Sequence, residues 1–214
     1  MTSLLSILGL IALVPLVASN CCLPSQWEGA EGFHVGTVMN GTVRVSQGFM
    51  NISADTTGEK IALNMTVTTG IVGGIKHTSD MFVLQDYGHK MQYVVEKGVC
   101  TKSAMQGPFT FNCVPSNATV VMKTTVGSDH TPGTIFKIPF GSIGDGYLTI
   151  TDSGCIPVLY QVTANINGMQ TMESVGIYDV KQGIKDMSVF TVPDICRTPG
   201  TVINVSRPQI KVGF

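Results

Sequence analysis

The chain has 214 residues, with 13 basic and 14 acidic side chains and a formal net charge of −1. It carries no basic patch, which excludes the electrostatic footprint of a nucleic-acid binder, and no polybasic run for anionic lipid. Charged residues make up 13%, against about 25% in an ordinary domain, so the surface must be covered some other way, by glycans or by a partner.

The first element is a processing segment. Residues 1–19 contain no charged side chain, and residues 4–17 are apolar apart from Ser6, Gly9 and Pro15. That run is shorter than the roughly 20 residues a membrane-spanning helix needs. Val17-Ala18-Ser19 supplies small residues for signal-peptidase cleavage. Residues 1–19 are therefore expected to be a removable signal peptide, and residues 20–214 a single domain. No later stretch reaches spanning length, and residues 207–214 are not a lipid-anchor signal, so the released protein is expected to be soluble.

Cys21 and Cys22 follow, then Cys100, Cys113, Cys155 and Cys196. An even number of cysteines behind a signal peptide reads as disulfides. No Cys-x-x-Cys or His spacing of zinc type occurs. Cys21 and Cys22 are too close to pair with each other and are expected to reach different partners. Spacing alone leaves the pairing open. Glycosylation sequons begin at Asn40, Asn51, Asn64, Asn117 and Asn204, and in this compartment each is a candidate acceptor if exposed. Asn64 lies inside an alternating run.

The remaining pattern is strand-rich. Ile61, Leu63, Met65 and Val67 alternate with polar or small residues, which is period two. Residues 81–84 and 91–95 flank Asp86-Tyr87-Gly88-His89, a turn between paired strands. Residues 120–125 and 147–151 read as extended. Residues 158–166 and 169–180 flank Asn167-Gly168, whose tolerance of positive φ marks a hairpin. Residues 81–84 are apolar on both faces, which fits a closed or layered sheet and equally a sheet curved around a ligand cavity. The expected fold is antiparallel and all-β or nearly so.

Catalytic motifs are absent. His34, His77, His89 and His130 are isolated, and there is no His-Glu-x-x-His or Gly-x-Ser-x-Gly. The reading is therefore non-enzymatic, with no catalytic residue and no required cofactor. Asp145 and Asp152, each in a turn, offer oxygen ligands for calcium, although ordinary β-turns account for them more simply.

Two ends of the chain carry a resemblance. The first is Cys21-x-x-Pro24-x-x-Trp27-Glu28-Gly29, and the second is Gly183-Ile184-Lys185-Asp186-Met187-Ser188-Val189-Phe190-Thr191-x-Pro193-x-x-Cys196. With Cys100, Asn117 and Cys155 in matching order between them, the chain resembles the ependymin-related family, the stretch 33–74 matching only loosely. The resemblance implies strongly curved antiparallel sheets forming a half-open barrel around a hydrophobic pocket, similar to bacterial lipoprotein carriers. It implies a secreted or lysosomal glycoprotein that forms a homodimer, binds a lipid-like ligand and has links to calcium and extracellular matrix. It implies pairing of Cys21 with Cys155 and Cys100 with Cys196, which leaves Cys22 and Cys113 as a pair beyond the family pattern. Alternation and size then nominate Met65, Phe82, Leu84, Met91, Tyr93, Val95, Met122, Leu148, Tyr160, Val162 and Ile177 as pocket lining. The alternative function is a matrix or adhesion protein acting through its surface, glycans and dimer interface.

Overall fold

The computed structural model describes residues 21–105, 109, 113–166, 168–198 and the backbone of 202–204. The expected signal peptide and Asn167 lie outside the described residues. The strands are β1 Gln26–Met39, β2 Thr42–Asp55, β3 Lys60–Ile71, β4 Lys76–Asp86, β5 Met91–Glu96, β6 Val99–Ala104, β7 Thr119–Val126, β8 Thr131–Pro139, β9 Gly144–Thr151, β10 Pro157–Ile166, β11 Met169–Gln182 and β12 Val202–Asn204. Apart from short 3-10 turns at Gly141–Ile143, Met187–Phe190 and Asp194–Cys196, the regular elements among the described residues are strands, as expected.

These strands form one sheet in the order β12-β6-β5-β4-β3-β2-β1-β11-β10-β9-β8-β7. It consists of two up-and-down runs of hairpins, β1–β6 and β7–β11. They join through β1 and β11, which pair from Trp27–Gln182 to Val38–Gln170. Among the described residues, only the β12–β6 pairing is parallel. The edges are β12 and β7, so the sheet is not closed.

Local sequence explains several of these elements. In β3, Ile61, Leu63 and Met65 are buried while Asn64 and Thr66 are exposed, so period two sorts the two faces. The β1–β2 turn uses Asn40 and Gly41 at φ 49° and 75°. Positive φ at both positions matches the right-handed twist of the flanking strands. The β10–β11 hairpin closes at Ile166–Met169, where the Asn-Gly pair predicts it.

One face of the sheet holds the main core. Trp27, Ile52, Leu63, Val83, Leu148 and Ile177 belong to a single buried cluster drawn from both runs. Leu63 and Val83 have no exposed surface. A flat single layer would leave that face in water, so the sheet is strongly curved and folds this face on itself. The opposite face carries a smaller cluster. There the C-terminal segment lays Phe190, Ile184, Val189 and Val192 against Ala62, Phe82, Leu84 and Tyr93. Asp186 accepts a hydrogen bond from the Ser188 amide and starts the short turn that presents Phe190. Residues 81–84 are therefore apolar on both faces because both faces are covered.

The disulfides are Cys21–Cys155, Cys22–Cys113 and Cys100–Cys196. This is the pairing that the resemblance implied, including the extra pair. The bond from Cys100 to Cys196 pins the C-terminal segment to β6.

Candidate functional site

Strand register divides the expected lining residues between two faces. Met65, Leu148, Tyr160 and Ile177 belong to the buried core cluster, and the half-buried Val162 packs against it. Phe82, Leu84, Met91, Tyr93 and Val95 stand on the opposite face: Phe82 pairs with Val95, Leu84 with Tyr93, and Met91 with Asp86. Of these, Phe82, Leu84 and Tyr93 meet the C-terminal segment. Met122 is exposed on β7 beside Ile135. Of the nominated residues Met65, Leu84, Leu148, Tyr160 and Ile177 are buried, Phe82, Met91, Tyr93, Val95 and Val162 are half-buried, and together they do not share one surface.

Open space occurs on the face opposite the main core. A recess of about 510 Å³ lies near the β1–β2 and β10–β11 hairpin ends, and its lining includes Gly36, Val38, Val43, Ile143, Gln170 and Met172. Register explains its shape. Val38 pairs with Val43 and with Gln170, and Met172 pairs with Gly36. Gly36 forms the floor, since a Cβ there would meet nothing within 4 Å. Val38, Val43, Ile143 and Met172 are all exposed large apolar side chains. Asn165 and Gln170, paired with each other across β10 and β11, are exposed and add polar groups to the same lining. Sequence reasoning missed this recess because its floor is a glycine and its walls come from distant strands.

A second groove of about 620 Å³ crosses the same face. Its floor follows one row of cross-strand neighbours, Tyr178, Ala30, Asn51, Asn64, Phe82 and Val95, over six strands. Met65, Phe82 and Val95 of the expected set line it, together with Phe49, Thr66, Asp80 and Lys97.

The acidic candidates do not converge. Asp145 begins β9 and pairs with Lys137 at 2.9 Å. Asp152 follows the other end of β9, pairs with Lys123 at 3.1 Å and accepts from the Thr134 hydroxyl. The Thr134 and Lys123 contacts hold its carboxyl below the usual range. Asp145 lies near the start of β9 and Asp152 just beyond its end, about 23 Å apart at strand spacing. Among the described residues, no group of three or more His, Cys, Asp or Glu side chains is placed to hold a metal. His89 serves the β4–β5 turn, its Nδ1 2.9 Å from Asp86. Burial opposes ionisation of Asp86, but hydrogen bonds from His89 and the charge of Lys60 keep its carboxyl below the usual range.

The described residues include no helix long and apolar enough to cross a membrane. Their cysteines are all disulfide-bonded, which suits an oxidising compartment. Among relatives, ependymin-related protein 2 of Haliotis asinina is 25% identical over 191 residues, covering 83% of this chain and 89% of its own. Ependymin-related protein 1 of the same organism is 23% identical over 199 residues, covering 87% and 95%. Similar solved structures include an uncharacterized conserved protein from Thermus thermophilus, with TM-score 0.47, 7% identity and coverage of 86% and 92%. Another is a LolA superfamily protein from Nitrosomonas europaea, with TM-score 0.35, 9% identity and coverage of 79% and 91%. The family model described as Ependymin matches residues 75–196, from the tip of the β3–β4 hairpin to the cysteine that anchors the C-terminal segment. The chain belongs to the ependymin family.

Proposed function

We propose that this chain is a secreted, non-catalytic carrier of an amphipathic lipid-like molecule. The ligand sits in the recess floored by Gly36 rather than among the packed core residues. The observation that carries this reading is the recess itself: about 510 Å³, with Val38, Val43, Ile143 and Met172 in its lining. Its volume falls within the ~300–1,000 Å³ of small-molecule sites. Apolar walls favour a hydrocarbon chain, because covering them removes apolar surface from water. The amide side chains of Asn165 and Gln170 in the same lining favour a ligand with one polar end.

Gly36 provides the test. It has room for a side chain and no left-handed φ, so Gly36→Leu fills the recess without straining β1. Binding of a dansyl-labelled C11 fatty acid to the secreted protein is measured by fluorescence titration, with circular dichroism checking the fold. Saturable binding is expected, weakened by about tenfold or more in Gly36→Leu, in line with the burial lost by a few methylenes. Absence of saturable binding, or an unchanged affinity in the folded variant, would overturn the proposal.

A further inference from the structure

Phe49 and Tyr178 are large aromatic side chains left in water, 72% and 55% exposed. Both stand on the face opposite the main core and lie across glycines. A Cβ on Gly32 would meet Phe49 Cε1 at 3.2 Å and Tyr178 Cε2 at 3.4 Å, and one on Gly176 would meet the Tyr178 hydroxyl at 2.3 Å. The rings therefore rest on the backbone of β1 and β11 and turn their other faces to solvent. Side chains at positions 32 and 176 would lift them. An aromatic face carries partial negative charge, and the C–H groups on one side of a pyranose ring are its natural complement.

A source of sugar is built into the same groove. Asn51 is exposed and heads the sequon Asn51-Ile52-Ser53. It lies two residues from Phe49 on β2, so both side chains point to one face. Its cross-strand neighbour is Ala30, which pairs in turn with Tyr178. The small Ala30 side chain leaves the path from Asn51 to Tyr178 open. Asn64, head of a second sequon, faces Asn51 directly, with the two Cβ atoms about 5 Å apart.

We propose that the Phe49–Tyr178 platform seats the inner N-acetylglucosamine of an N-linked glycan on Asn51. The glycan is the occupant of the second groove, and it covers the two rings that the fold leaves exposed. Asn64 has the same row but lies one strand further from the platform, so Asn51 is the anchoring site.

The test uses the full chain secreted from mammalian cells. Glycopeptide mapping reads occupancy at Asn51, and only fully occupied glycoforms enter the comparison. Thermal midpoints are measured for the wild type, Asn51→Gln, the Phe49→Ala/Tyr178→Ala pair, and the combination. Asn51→Gln is expected to lower the midpoint by about 3 °C in the wild type and by under about 1 °C once the rings are removed. Trimming the glycan to one N-acetylglucosamine is expected to preserve that coupling. An unmodified Asn51, or equal losses in both backgrounds, would overturn the proposal. Coupling that disappears on trimming would overturn the assignment to the inner sugar. The recess floored by Gly36 is untouched by these substitutions, so the ligand proposal stands or falls separately.

Discussion

Glu31 lies on the core side of β1, between Met50 of β2 and Ile177 of β11, and is 3% exposed. Burial pushes its carboxyl up to about 7, and the charge of Glu173 acts in the same direction. Glu173 is itself raised by burial. The folded state thus holds the Glu31 proton more tightly than the unfolded chain, whose value is near 4.5. The stability this proton contributes is fully present below about pH 4.5 and is lost as pH rises through about 7, by roughly 3 kcal/mol in all. Glu31→Gln keeps the shape and removes the charge. Urea midpoints measured from pH 5 to pH 8 are expected to fall with pH in the wild type and to flatten in the variant, which becomes the more stable of the two at pH 8. Parallel curves would show that the ionised carboxylate is accommodated in the fold. Nothing in the sequence marks Glu31, because charged side chains are almost always exposed and only the pairing of β1 with β2 and β11 turns it inward.

At the scale of elements, the C-terminal segment is a strap rather than a tail. It covers β3, β4 and β5 on the face opposite the main core, with Phe190 as its buried anchor. Phe190→Ala is expected to cost about 3 kcal/mol or more, as deletion of a large core side chain does. The reading is a denaturant midpoint, with increased solvent access at Leu84 and Tyr93. An unchanged midpoint would show that the strap is held by Cys100–Cys196 alone. Part of this element was legible in advance. The double-faced apolarity of residues 81–84 showed that both sides of β4 are covered, by a further layer or around a cavity, but not that residues 183–196 supply the cover. Strands β3, β4, β5, β7, β9, β10 and β11 were readable from alternation and turn residues. Strands β1 and β2 were not, although each has 14 residues. Gly29, Gly32, Gly36 and Gly48 interrupt their apolar pattern, and their extended state is set by neighbours paired on both sides.

For the whole molecule, the disulfides tie the two hairpin runs and the strap into one body. Cys21–Cys155 spans a sequence separation of 134 and links the start of β1 to the β9–β10 turn. Replacing both cysteines by alanine is expected to lower stability by about 2–5 kcal/mol while leaving the β-rich circular dichroism spectrum in place. A midpoint equal to that of the wild type would show that the sheet alone sets the stability. What the amino-acid order determines here is local or chemical: strand periodicity, the Asn-Gly turns, the sequons and the number of oxidisable cysteines. Period two sorts side chains into two sets, but it does not say which set is inside. That choice, and with it the burial of Glu31, the exposure of Phe49 and the open floor at Gly36, comes from register between strands far apart in the chain. Gly36 meets Met172, and Ala30 meets Tyr178, only when β1 pairs with β11. The recess floored by Gly36 therefore arises from the join between the two runs, which supply its opposite walls, whereas the second groove lies mainly on the first run and takes only Tyr178 from the second.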